Sequence, residues 1–225
     1  MPRKSTASAF TVFGVQPPDS IYLPSLPYSV RWNCRDGGLF VGGSQAQHRL
    51  SNPDEKIDIN IIKISKYFGS LGKTKNVLWL QLFYIASPTV DAKTLPVNTV
   101  CVSYLKKQSI AHLFNKVQQV IAQKEAAEGI FTLAFRQEAG ELGAYYSIMF
   151  DWRERTSTAE KTQLEQIKTF MSTFGTQLID IEGTRTMTCV DGYSAQQLQA
   201  LIQQHQQLAD YPQSAVNPKQ LSAAS

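Results

Sequence analysis

The chain has 225 residues, of which 43% are hydrophobic and 18% charged, and its formal net charge is +4. This length accommodates one large domain, or one domain with a small appendage. The composition excludes an intrinsically disordered chain, and no apolar run approaches the ~20 residues that span a bilayer.

The N-terminus and the cysteines indicate the compartment and exclude common metal sites. The segment MPRKSTASAF has two basic residues but no apolar stretch of signal-peptide length behind it, so we expect a cytoplasmic protein without membrane attachment. The chain has an odd number of cysteines, and no two of them have a C-x-x-C spacing: Cys34, Cys101 and Cys189. This argues against a disulfide framework and a zinc ribbon. The three histidines are equally scattered, and we predict no metal site and no cofactor.

The two halves of the chain differ in charge. Residues 1–107 carry 13 Lys/Arg against 6 Asp/Glu, a net +7, whereas residues 108–225 carry 9 against 12, a net −3. A basic half joined to a mildly acidic half predicts a positive face, and such a face attracts phosphate backbones.

In chain order, the N-terminal part predicts an arm and a hairpin. Residues 1–27 are rich in Ser, Thr and Pro and predict a flexible arm. Tyr28–Gly43 predicts a hairpin, because apolar and polar residues alternate from Val30 to Cys34 and an Asp-Gly-Gly turn follows.

The next segment predicts three strands. Ile57–Phe68 is the strongest, and a β-bulge at Ile61-Ile62 would return all five of its isoleucines to one side. A basic turn at 69–76 leads into Val77–Ala86, which is apolar on both faces, and Thr99–Tyr104 is the third strand.

The rest of the chain alternates helices and hairpins. Periodicity predicts a helix over Gln108–Glu128, then a strand hairpin. Beyond Glu128 the sequence predicts two strands at 130–136 and 144–153, and then a helix over 158–174. A strand pair at 178–181 and 186–190 and a helix over 194–209 follow. The tail 211–225 is predicted to be disordered.

Residues 57–153 therefore follow the order strand, strand, strand, helix, strand, strand, with a long bulged first strand. This order resembles OB-fold single-stranded-DNA-binding proteins, including those of phages and plasmids, and the chain also resembles uncharacterised families of cyanobacterial genomes and mobile elements. The resemblance implies an α+β, mainly β fold: an OB-like five-stranded barrel with a helix between strands 3 and 4. The predicted division is arm 1–27, barrel domain with N-terminal hairpin 28–155, C-terminal α/β appendage packed on the barrel 156–210, and tail 211–225.

Single-stranded nucleic acid is bound by cations for the phosphates and by aromatic faces for the bases. If the isoleucines of the first strand point inward, its other face presents basic residues and a tyrosine beside the aromatic residues of the second strand. The candidate nucleic-acid-binding residues are Arg31, Trp32, Arg35, Lys63, Lys66, Tyr67, Lys73, Lys75, Trp79, Phe83, Lys106 and Lys107.

These residues predict a non-catalytic, sequence-tolerant protein that binds single-stranded nucleic acid, DNA in preference to RNA. The alternative is a protein-interaction or assembly module of a phage or mobile element. In that alternative Trp79 and Phe83 are buried beneath the C-terminal helices and an apolar patch lies elsewhere. The C-terminal helices also suit an interface between copies of the chain.

Catalytic motifs are missing from the sequence. No G-x-S-x-G elbow occurs, and the Gly-Lys-Thr at 72–74 lacks both the glycine spacing and the following helix of a phosphate-binding loop. The acidic pairs Glu138/Glu141 and Asp151/Glu154 have no histidine partners. The sequence therefore predicts no catalytic constellation.

Overall fold

The computed structural model describes residues 20–43, 46–141 and 143–210, except for the side chains of 206–210. Most of the predicted arm and the whole predicted tail lie outside the described residues. The strands are β1 (Tyr28–Ser29), β2 (Arg31–Trp32), β3 (Leu39–Val41), β4 (His48–Arg49), β5 (Ile57–Leu71), β6 (Thr74–Ala86), β7 (Cys101–Lys106), β8 (Ile130–Gly140), β9 (Gly143–Arg153) and β10 (Met187–Cys189). The α-helices are α1 (Gln108–Ile121), α2 (Thr158–Phe174), α3 (Ile181–Thr184) and α4 (Ala195–Asp210).

The fold is α+β with mainly strands, arranged in two sheets. The large sheet has the order β1-β7-β6-β5-β8-β9, with β10 added to β5, and the small sheet has the order β2-β3-β4. The predicted hairpin at Tyr28–Gly43 is confirmed, because β2 and β3 pair antiparallel with Trp32 opposite Leu39.

The predicted five-stranded barrel is not confirmed, because the large sheet does not close on itself. The outer edge of β9 is hydrogen-bonded to a loop and a helix in place of a strand: Tyr146 N–H donates to the Cys34 carbonyl at 2.7 Å and Ile148 N–H to Ser109 Oγ at 3.0 Å. The outer edge of β7 pairs with β1. Backbone groups that already have partners cannot form a further strand ladder.

The bulge predicted in β5 is present, but its consequence for the isoleucines differs. The register shifts between Ile61 and Lys63, so Ile62 is the extra residue. Ile57, Ile59 and Ile61 pack on the larger core, whereas Ile62 packs on a second core and Ile64 is 36% exposed. The expectation that all five isoleucines lie on one buried side was wrong, because Ile62 packs on the opposite face and Ile64 is exposed.

The larger core lies between one face of the large sheet, the β2–β3 hairpin and α1. Leu80, Leu82 and Tyr84 project into it from β6, and Leu113 from α1 is fully buried. Helix α1 ends at Ile121, earlier than predicted, and a single 3-10 turn at Ala126–Glu128 follows. This turn places the Ala126 carbonyl where it accepts a hydrogen bond from Trp152 Nε1 at 3.0 Å.

The second core covers the other face of β6 and β7. Phe83 and Val102 from the sheet pack there against Ile167 and Phe170 of α2 and against Leu178. The helix predicted over 158–174 is confirmed, and it begins with a capping box between Ser157 and Glu160.

The strand pair predicted at 178–181 and 186–190 was wrong. Asp180 begins the short helix α3, since its carboxylate accepts the Gly183 N–H at 3.0 Å. The segment Met187–Cys189 does form a strand, but it pairs with Tyr67–Gly69 of β5.

A buried polar network attaches α2 to the sheet. The Arg155 guanidinium donates to Asn60 Oδ1 at 2.5 Å, to the Glu128 carbonyl at 2.7 Å, to the Gly129 carbonyl at 3.1 Å and to the Glu160 carbonyl at 3.0 Å. Asn60 Nδ2 in turn donates to Gln163 Oε1 at 2.8 Å. Because every partner is a fixed acceptor, the guanidinium can be buried without a costly unsatisfied donor.

Glu160 completes this network and begins α2. Its carboxylate accepts from Arg153 at 2.7 Å and from the backbone N–H groups of Thr156 at 2.8 Å and Ser157 at 3.1 Å. The hydrogen bond from Arg153 is the main cause that lowers the pKa of Glu160 from 4.5 to about 2. The ionised form is therefore stabilised in the folded protein.

Glu160→Gln is expected to lower the free energy of unfolding by about 1.5–3 kcal/mol at pH 7, since charge-assisted hydrogen bonds are lost. The folded pKa lies below the unfolded value, so this contribution is complete above pH 4.5 and disappears as the pH falls toward 2. Urea unfolding at pH 7, 4 and 2.5 measures it. Glu165→Gln, which removes an exposed carboxylate of the same helix, is the control. A difference between wild type and Glu160→Gln that stays constant down to pH 2.5 would contradict this assignment.

Phe170→Ala is expected to destabilise the protein by ~3–5 kcal/mol, because it empties the centre of the second core. Phe174→Ala is the matched control, since that ring is 41% exposed whereas Phe170 is 5% exposed. Urea unfolding followed by tryptophan fluorescence measures both variants. Equal effects of the two substitutions would show that α2 does not cover the sheet as described.

Candidate nucleic-acid interface

Six of the predicted binding residues gather at one end of the large sheet, and we call them the basic cluster. They come from β2, from the β2–β3 turn, from the tip of the β5–β6 hairpin and from the end of β7 with the residue that follows it: Arg31, Arg35, Lys73, Lys75, Lys106 and Lys107. All are exposed except Lys106, which is half-buried. Elements that are distant in sequence thus present cations in one region.

Lys106 connects the parts of the basic cluster. Its Nζ donates to Oγ1 of Thr74 at 2.9 Å, and Thr74 is the first residue of β6, between Lys73 and Lys75. The same Nζ lies 5.6 Å from the centroid of the Trp79 ring. The end of β7 is therefore attached to the tip of the β5–β6 hairpin, which carries two further lysines.

Two other members of the basic cluster, Lys107 and Arg31, interact electrostatically with Lys106. The pKa of Lys106 is lowered, mainly by burial and then by repulsion from Lys107 and Arg31, although Cys34 opposes this. Arg35 follows Cys34 in the β2–β3 turn, whose shape is fixed by the Asn33 side chain accepting the Arg35 N–H at 2.8 Å.

No member of the basic cluster forms an ion pair with a carboxylate within the described residues. Elsewhere in that part of the chain, the basic residues in ion pairs are Lys116, Lys124, Arg136, Arg153 and Lys168. Uncompensated cations concentrated at one site create a local positive potential that attracts polyanions.

Lys63 and Lys66 are not part of the basic cluster. Lys63 Nζ donates to the Leu178 carbonyl at 2.8 Å and lies 5.8 Å from the Phe83 ring centroid, so it secures the C-terminal segment to the sheet. Lys66 is exposed, but its Nζ lies 5.6 Å from the Phe114 ring centroid and its backbone N–H donates to Asp191 at 2.7 Å. The backbone of Lys66 is thus bonded to a carboxylate.

Tyr67 lies in acidic surroundings. It is half-buried opposite Cys189 of β10. Burial raises the pKa of Tyr67, and Cys189, Asp191 and Asp180 raise it further. Nearby carboxylates repel phosphates, so the setting of Tyr67 does not favour the predicted stacking role.

Trp32, Trp79 and Phe83 lie inside the protein, with exposed fractions of 5%, 6% and 0%. Trp32 Nε1 donates to the Tyr84 hydroxyl at 3.0 Å and Trp79 Nε1 to the Gly69 carbonyl at 3.2 Å. The sequence correctly predicted that Trp79 and Phe83 share a face with Lys63 and Tyr67, but that face is covered. The structure therefore contradicts base stacking on these three rings, which have no free face.

A residue that was not predicted lies beside the basic cluster. Tyr145 is 37% exposed, and its hydroxyl donates to Oε1 of Gln108, which follows Lys107, at 2.9 Å. The alternation of β9 contains the signal for this residue, because Tyr146, Ile148 and Phe150 pack on the core and Tyr145 has the opposite parity.

Three of the four acidic residues noted in the sequence form surface ion pairs. Glu138 pairs with Arg136, Asp151 with Lys116 and Glu154 with Lys124. Within the described residues, no group of three or more His, Cys, Asp or Glu side chains is placed to hold a metal ion.

In the part of the chain that the structure describes, no helix has both the length and the apolar character needed to cross a membrane. Comparisons with protein-family models, with curated proteins and with solved structures gave no match.

Proposed function

We propose that this protein binds single-stranded nucleic acid, DNA in preference to RNA, without regard to sequence and without catalysing a reaction. The observation that carries the proposal is the basic cluster, in which six cations from four segments meet without a carboxylate partner among the described residues.

Phosphate contacts explain both the affinity and the lack of sequence preference that we propose. A cation that neutralises a phosphate releases a condensed counterion, which adds about 0.7 to the salt slope for a single strand. Phosphates are the same at every nucleotide, so these contacts position the strand but do not read it. Six such contacts would give a slope of about −4 for log K against log salt concentration.

The half-buried position of Lys106 strengthens the electrostatic argument. Burial together with repulsion from Lys107 and Arg31 lowers the pKa of Lys106, so its protonated form is less stable than that of a lysine in free water. A phosphate placed beside it would relieve this repulsion, because an opposite charge favours the protonated form.

A second candidate function is the protein-interaction module, which a specific observation favours. This alternative requires Trp79 and Phe83 to be buried, as they are, and an apolar patch elsewhere. Phe174, Ile179 and Ile181 are 41%, 55% and 69% exposed near the end of α2 and the start of α3. A protein partner would cover this stretch.

The nucleic-acid proposal is tested by the fluorescence anisotropy of labelled oligo-dT over a range of salt concentrations. Lys73→Ala/Lys75→Ala is expected to reduce the salt slope by about 1.4 and to weaken binding by about 25-fold at 0.1 M salt, since two counterions are no longer released. Oligo-U of the same length, measured in parallel, tests the preference for DNA.

The matched control is Lys161→Ala/Lys168→Ala, which also removes two positive charges, here from the exposed side of α2. It is expected to leave the salt slope unchanged. Absence of binding at low salt by folded wild-type protein would overturn the proposal and favour the protein-interaction module. Equal losses in the two double variants would show that net charge, and not the basic cluster, is responsible.

A further inference from the structure

We propose that Tyr145 is a stacking platform for one nucleobase, with Gln108 as its polar neighbour; this inference rests on the nucleic-acid binding proposed above. Binding of single strands through exposed aromatic rings contributes affinity that is independent of sequence, because every base has a π-face. The buried rings of Trp32, Trp79 and Phe83 are unable to supply it.

The Tyr145 ring is held in place on one side and at its tip. A Cβ atom at Gly140 would lie 3.1 Å from Tyr145 Cε1, so the ring packs against the bare backbone of this glycine. The hydroxyl donates to Gln108 Oε1 at 2.9 Å. A ring that is already ordered loses little conformational entropy when a base stacks on it.

The charge around Tyr145 is compatible with a phosphate backbone. Glu138 lies opposite Tyr145 across the β8–β9 pair, but its Oε1 accepts from Ser147 Oγ and from Arg136 Nε, both at 2.7 Å. These two hydrogen bonds lower the pKa of Glu138, and the ion pair with Arg136 offsets its charge.

Two members of the basic cluster are connected to Tyr145 through their chain neighbours. Gln108, which accepts the hydrogen bond of the Tyr145 hydroxyl, directly follows Lys107. Tyr146 N–H donates to the carbonyl of Cys34, which directly precedes Arg35. A strand whose base stacks on the Tyr145 ring would therefore have cations close to its phosphates.

Gln108 suits any base. Its amide oxygen already accepts from the Tyr145 hydroxyl, which leaves the amide NH₂ as a donor. Every nucleobase carries a hydrogen-bond acceptor on its edge. The pair thus contributes contact with a base but no strong selection among bases.

The experiment compares the affinity for oligo-dT with that for an abasic oligonucleotide of the same length, which keeps the phosphates and lacks the bases. Wild type is expected to prefer oligo-dT, and Tyr145→Ala to lose about 5- to 150-fold of that preference while its salt slope stays unchanged. Tyr145→Phe keeps the ring and is expected to retain most of the preference. Tyr193→Ala removes an exposed tyrosine close to Asp191 and is the matched control.

The outcomes separate this inference from the function on which it rests. Absence of binding to both oligonucleotides would overturn the function and this inference with it. Equal wild-type affinity for the two oligonucleotides, or an unchanged preference in folded Tyr145→Ala, would overturn the Tyr145 platform alone. Circular dichroism of each variant establishes that it is folded.

Discussion

The buried guanidinium of Arg155 is the interaction on which the arrangement of the molecule depends. It joins Asn60 of β5 to carbonyl groups before β8 and to Glu160 at the start of α2. Removing it would leave several buried acceptors without a donor, and such groups are costly in a protein interior. Helix α2 is thereby held over the sheet face that carries Phe83 and Val102.

The position of α2 also determines where a nucleic acid can bind. Once α2 and the segment that follows it lie on that face, the Phe83 ring belongs to a core and Lys63 donates to the Leu178 carbonyl. The six cations of the basic cluster, which form no ion pair among the described residues, lie instead at the end of the sheet, where β7 and the tip of the β5–β6 hairpin meet. The binding surface that we propose is thus the end of the sheet where these strands terminate, and not a face of the sheet.

Much of the local structure could be predicted from the sequence, because local signals determine it. The parity change at Ile61-Ile62 revealed the bulge, and the alternation of β5 and β6 correctly placed Lys63 beside Phe83. The covering of that face could not be predicted, since it depends on contacts such as Arg155 with Asn60, which are 95 positions apart. For Tyr145 the signal was present: its parity in β9 is opposite to that of the core residues.

Lysine acetylation footprinting by mass spectrometry, with and without oligo-dT, tests most directly where the nucleic acid binds. It distinguishes binding at the basic cluster, at the end of the sheet, from binding on β5. In the bound protein we expect protection of Lys73, Lys75 and Lys107, with Lys63 and Lys66 unchanged. Protection centred on Lys63 and Lys66, with the basic cluster still reactive, would contradict this account. It would mean that the nucleic acid contacts β5 and that Lys63 leaves the Leu178 carbonyl when the nucleic acid binds.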